Sequence, residues 1–166
     1  MTENAARQAS VACFDTMKPQ ETDDAGTQTW ITRGGNFVVA VSRVKPGAKL
    51  TRENNADEYM VILPPGTQAT IKTADEEVEL GDDSLTIVPP GPSTITARTE
   101  GLIARIITSN ATDLLDKAWN AATYADGAPE LAPVEPWPDP VGGFKLRHYP
   151  LAPYADPNGE RIQPRL

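Results

Sequence analysis

Histidine and cysteine are nearly missing from this chain, with His148 and Cys13 the single examples of each. A lone cysteine excludes an intramolecular disulfide, and a lone histidine excludes a metal site built from several imidazoles. Cys13 has no histidine or basic partner close by in sequence and reads as a small packed residue, not a nucleophile. His148, within Lys145-Leu146-Arg147-His148-Tyr149, reads as part of an exposed or interface strand. Long apolar runs are absent too, and nothing approaches the roughly 20 residues that a membrane helix needs. The first twenty residues hold no apolar stretch behind a basic start, so no secretory signal is read there and the cytoplasm is the expected address. Positive charge is scarce: 15 Lys and Arg against 23 Asp and Glu leave a net charge of −8. Such a surface repels the phosphates of nucleic acids and anionic lipids, so neither is an expected partner. No phosphate-cradling glycine loop, nucleophile elbow or zinc spacing occurs.

Proline, by contrast, is abundant, with 16 among 166 residues. The length suits one domain, and composition divides it into three zones. Residues 1–35 are polar and read as an N-terminal arm with at most one or two short strands, anchored by Phe14 and Trp30. Residues 36–109 carry short β-branched runs: Asn36–Val44, Glu58–Leu63, Ala69–Thr73, Val78–Leu80, Ser84–Val88, Thr94–Arg98 and Leu102–Thr108. Between them stand Lys45-Pro46-Gly47, Pro64-Pro65-Gly66, Gly81-Asp82-Asp83, Pro89-Pro90-Gly91 and Glu100-Gly101. Proline withholds a ladder donor and glycine allows the turn, so the runs end sharply. The pattern predicts a mainly β fold, an antiparallel sandwich or barrel. In residues 110–166, Leu114, Leu115, Ala118, Trp119 and Ala122 recur at helical spacing, which predicts one short amphipathic helix over about 112–123. A proline-rich tail follows. It reads as extended, with one further strand near Gly143–Tyr149, and its aromatic residues need somewhere to pack. The ending Gln163-Pro164-Arg165-Leu166 reads as the approach to another strand, so a second barrel beyond it is one reading.

Two segments of the middle zone carry a family likeness. The first runs from Pro46-Gly47 through Arg52-Glu53-Asn54-Asn55 and Asp57-Glu58 to Gly66; the second runs from Gly81-Asp82-Asp83 through Pro89-Pro90-Gly91 to Ser93-Thr94. Together they resemble the two motifs of the cupin family, covering about half of the chain. The resemblance implies an antiparallel jelly-roll barrel and, in metal-bearing relatives, three histidines and a glutamate around a divalent ion. Counted along the motifs, the histidine positions fall on Arg52 and Asn54, or on Thr51 and Glu53, and on Thr94, with Arg98 in the asparagine position. Of the ligands only Glu58 remains. An arginine offers no lone pair to a metal, so no metal and no cofactor is expected.

The resemblance makes the Glu58 face of its strand the barrel interior, and alternation adds Met60 and Ile62 to that face. The expected ligand pocket is therefore Arg52, Asn54, Glu58, Met60, Ile62, Thr94 and Arg98, with Arg52 or Arg98 balancing the Glu58 charge. The leading reading is a metal-free domain, non-catalytic by itself, that binds a small molecule or serves as a structural, dimerising module. The other is an enzyme acting on a small polar metabolite through Glu58 and Arg52. A homodimer is expected, with the arm or the tail at the contact.

Overall fold

The computed structural model describes residues 10–129, 131–132 and 138–154, and in them two antiparallel sheets face each other. The strands are β1 (Glu21–Thr22), β2 (Gln28–Arg33), β3 (Phe37–Val44), β4 (Lys49–Asn55), β5 (Tyr59–Leu63), β6 (Ala69–Thr73), β7 (Glu77–Leu80), β8 (Ser84–Val88), β9 (Gly91–Ala97), β10 (Gly101–Thr108) and β11 (Arg147–Pro150). One sheet has the order β1-β2-β3-β10-β5-β8-β11 and the other β4-β9-β6-β7. The turns work as their residues suggest. Gly66 and Gly91, closing the two Pro-Pro-Gly corners, adopt φ of +85° and +105°, which side-chain-bearing residues rarely reach.

The core lies between the sheets. In the larger sheet Ile31, Ala40, Arg105, Val61 and Thr86 stand side by side on the inward face. In the smaller one Leu50, Ile95, Ile71 and Val78 do the same. Across the gap the Tyr59 hydroxyl shares a 2.8 Å hydrogen bond with the Ser93 hydroxyl, tying β5 to β9. Outside the larger sheet lies a second apolar layer: Val39, Ile106, Met60 and Ile87 in one row, with Ile62 and Leu85 in the next. Met60 there is 42% exposed.

Several expectations need correction. Met60 and Ile62 face away from the core, and Tyr59, Val61 and Leu63 fill it. Alternation sorts a strand into two faces without saying which is inside, and here both faces are apolar. The strand β4 was not foreseen, because Leu50 is its single apolar residue. The helix is one turn, α1 (Thr112–Leu115), followed by turns and a 3-10 segment at Ala121–Tyr124. Leu114, Leu115 and Ala118 are buried as the periodicity requires. The chain is then drawn off the helical path by β2: the Trp119 amide donates to the Ile31 carbonyl, and Asn120 bonds both the amide and the carbonyl of Arg33. Just before the helix, Asn110 donates to the Asp57 carboxylate.

The arm supplies β1 and β2, and β2 joins the larger sheet with Ile31 in the core. Phe14 and Trp30 do anchor it, with ring centroids 5.7 Å apart, and the Trp30 indole donates to the Met17 carbonyl. Cys13 is exposed, not packed. The tail strand forms as β11 on the edge of β8. The expected extended course of residues 155–166 and the packing of Trp137 lie outside the described residues. Among those described, no helix is long and apolar enough to cross a membrane.

His148 faces inward at the sheet margin, its Nδ1 2.9 Å from the hydroxyl of the fully buried Thr86. Desolvation holds its pKa below the ordinary 6.5, so the folded state binds a proton less readily than the unfolded one. Its contribution is whole above pH 6.5 and declines as pH falls below that value toward the folded pKa. Urea titrations of wild type and His148→Gln at pH 7.5 and 5.5 test this. Acidification should cost the wild type more, and an equal loss in both would remove the histidine from the account.

Candidate functional site

The residues expected to form one pocket are divided among several places. Glu58 lies on the outside of the larger sheet in an ion pair with Arg147 of β11, at 2.6 Å. Arg52 of β4 does turn inward, but its partner is Asp113 of α1: Nη1 donates to Oδ2 at 2.6 Å and Nη2 to Oδ1 at 3.1 Å. Arg52 and Glu58 therefore do not form the expected pair. Arg98 is exposed and meets Glu79 at 2.8 Å. Thr94 faces outward and shares a hydrogen bond with Thr51, while its neighbour Ser93 faces inward. Asn54 is exposed; a bulge between Arg52 and Asn55 turns Asn55 into the interior, where its Nδ2 donates to the Asp57 carbonyl. The second motif thus sits one residue away from its sequence-based reading.

What converges inside is a different set. Arg52 and Ser93, opposite each other on β4 and β9, face Tyr59 and Arg105 of the larger sheet. A cavity of about 340 Å³ opens onto Arg52 and Arg105 at the barrel mouth, between β1, β4 and α1. Its rim carries Lys49, Lys117 and three acids, Glu21, Asp23 and Asp113. Each acid is already engaged. Glu21 accepts from Lys117 at 2.5 Å, Asp113 holds Arg52, and Asp23 Oδ1 accepts from the Thr27 amide at 2.7 Å. The hydrogen bonds from Arg52 hold the Asp113 carboxyl below its usual range. Burial pushes the Tyr59 phenol up, offset by its bond to Ser93 and by the charges of Arg105 and Arg52.

Arg105 was missed in the sequence, although a signal was there. It occupies the centre of Leu102-Ile103-Ala104-Arg105-Ile106-Ile107, in phase with the buried Ile103 and Ile107. A cation between two inward apolar positions is itself an inward residue.

The donors in the interior do not suit a transition metal. Two guanidiniums offer no lone pair, and a phenol and a hydroxyl bonded to one another make a weak ligand set. Among the described residues no three His, Cys, Asp or Glu side chains gather as a metal-holding group.

No family model matches the chain, and no curated protein matches its sequence. Among solved structures it is similar to KdgF from Halomonas sp., with a TM-score of 0.53 and 13% identity over 63% of this chain and 98% of that one. Further matches are an RmlC-like cupin protein from Desulfovibrio desulfuricans (TM-score 0.48, 16% identity, 61% and 97% covered) and a cupin superfamily protein from Desulfitobacterium hafniense DCB-2 (0.48, 13%, 62% and 98%). At these identities the likeness concerns the fold and not the chemistry. Two facing antiparallel sheets of this strand order, matched over nearly the whole length of such a structure, make the chain a cupin-type jelly roll.

Proposed function

We propose that this chain is a binding module: a metal-free cupin-type barrel, non-catalytic by itself, that accepts a small molecule at its mouth. The observation that carries this reading is the cavity of about 340 Å³ whose floor is cationic where a metal-bearing barrel would present lone-pair donors. The enzyme reading depended on Glu58 acting with Arg52. Arg52 is paired with Asp113 and Glu58 with Arg147, so that couple does not form. Elemental analysis of protein purified without chelator, together with a thermal-shift screen of polar metabolites, tests the proposal. Substoichiometric metal and at least one stabilising ligand are expected. Near-stoichiometric iron, manganese, nickel or zinc would overturn it.

A second role rests on a separate observation, the apolar layer outside the larger sheet. Val39, Ile106, Met60 and Ile87 form an apolar row that ends at Arg147, whose charge Glu58 neutralises, in a chain of net charge −8. Two copies can meet there without like-charge repulsion, and a two-fold axis makes such a patch its own complement. We therefore propose a homodimer through this face, with the adjoining tail strand β11 at its margin. Sedimentation of the wild type should give a dimer, and Met60→Asp should give a folded monomer. A wild type that stays monomeric at high concentration would end this proposal.

A further inference from the structure

Arg105 is the only buried charged side chain among the described residues. It is 5% exposed, lies between Ala40 and Val61 on the neighbouring strands, and lines the mouth cavity. Its Nε is buried without a hydrogen-bond partner, and Glu21, Asp113 and Tyr59 act on its charge through space without bonding it. Every carboxylate at the mouth is committed to another group, and the terminal nitrogens of Arg52 are spent on Asp113. A largely buried guanidinium with no protein acceptor is costly, and its shape suits two oxygens at once.

We infer that the barrel mouth is a receptor for a small organic carboxylate, held by the Arg105 guanidinium through charge-assisted hydrogen bonds. This rests on the small-molecule reading above and names the ligand class. The charge balance favours one negative charge over two. One guanidinium lacks a bonded counter-charge, and a dianion such as phosphate would leave its second charge facing Glu21, Asp23 and Asp113. The volume, near the lower end for small-molecule sites, suits a short ligand. Leu50 and Leu114 offer its body an apolar wall, and the buried, unpartnered Thr27 hydroxyl lines the same cavity.

The test uses the full chain, labelled with nitrogen-15, and follows the Arg105 Nε–Hε resonance at constant ionic strength. The probes are acetate, propionate, lactate, pyruvate and benzoate, with inorganic phosphate and lactamide for comparison. At least one carboxylate should shift the resonance saturably and raise the thermal midpoint, with phosphate weaker. Arg105→Met should weaken that carboxylate by more than about tenfold, the loss of a charged hydrogen bond, as read by thermal shift. Arg105→Lys, which keeps the charge but not the fork, should bind with intermediate strength and covers the case in which Arg105→Met fails to fold. Arg98→Ala should bind as wild type. The carboxylate assignment falls if phosphate binds as tightly, if both Arg105 variants bind like wild type, or if the panel gives no response. Binding of lactamide at Thr27 and Leu114 without any carboxylate response would defeat the assignment and leave the small-molecule reading standing. Silence of those residues toward every probe would defeat both.

Discussion

Arg105→Met is expected to make the ligand-free protein more stable, by about 1–4 kcal/mol if it follows buried ion pairs replaced by apolar groups of similar volume. The substitution removes a cation from the low-dielectric interior and breaks no hydrogen bond among the described residues. Methionine is unbranched and flexible, so it can fill the volume between Ala40 and Val61. Burial pulls the arginine below its ordinary pKa, aided by the Arg52 charge and opposed by Tyr59, Glu21 and Asp113. Urea unfolding at pH 7, with equal slopes for the two proteins, gives the measurement. A variant less stable than wild type would show that the guanidinium is well solvated or partnered in the free protein. Saturating carboxylate should then stabilise the wild type alone and narrow the gap.

Ile71→Ala is expected to lose about 2–5 kcal/mol, the usual cost of a large-to-small change in a closed core. Ile71 is fully buried on β6, directly opposite Ile95 on one side and Val78 on the other. Because β6 is hydrogen-bonded on both edges, its backbone cannot fall in to fill the void. Met60→Ala, measured in dilute protein, should cost well under half as much, since its side chain is 42% exposed. If Met60→Ala proved the more damaging of the two, the assignment of inward and outward faces would be reversed. Equilibrium denaturation of both variants decides.

The turns and most strands were legible because their causes are local. Pro64-Pro65-Gly66 and Pro89-Pro90-Gly91 each end one strand and begin the next with residues that admit little else. The face of β5 was not legible. Tyr59, Val61 and Leu63 alternate with Met60 and Ile62, and which set is inside depends on what the sheet packs against. The motif count fixed on Glu58 as inward and so placed the pocket on the outside of the sheet. For β4 the single apolar residue Leu50 concealed a strand whose next inward position is Arg52. In the helical segment the period was real, yet bonds from Trp119 and Asn120 to β2 shortened the helix. The site was half seen: Arg52 lies in the first motif, but Arg105 comes from β10, outside both motifs.

The place of β10 in the larger sheet also governs how the chain reaches its fold. Between β3 and β5, which it pairs on either side, β10 is the last of the three to leave the ribosome. Until residue 108 has emerged, β3 and β5 each keep a free edge, and no hairpin between near neighbours can substitute for the missing strand. Closing such long loops delays the reward for assembling the sheet, so folding belongs to the slow, millisecond-to-second class of all-β topologies. Chains released before Gly101 would expose two apolar strand edges at once.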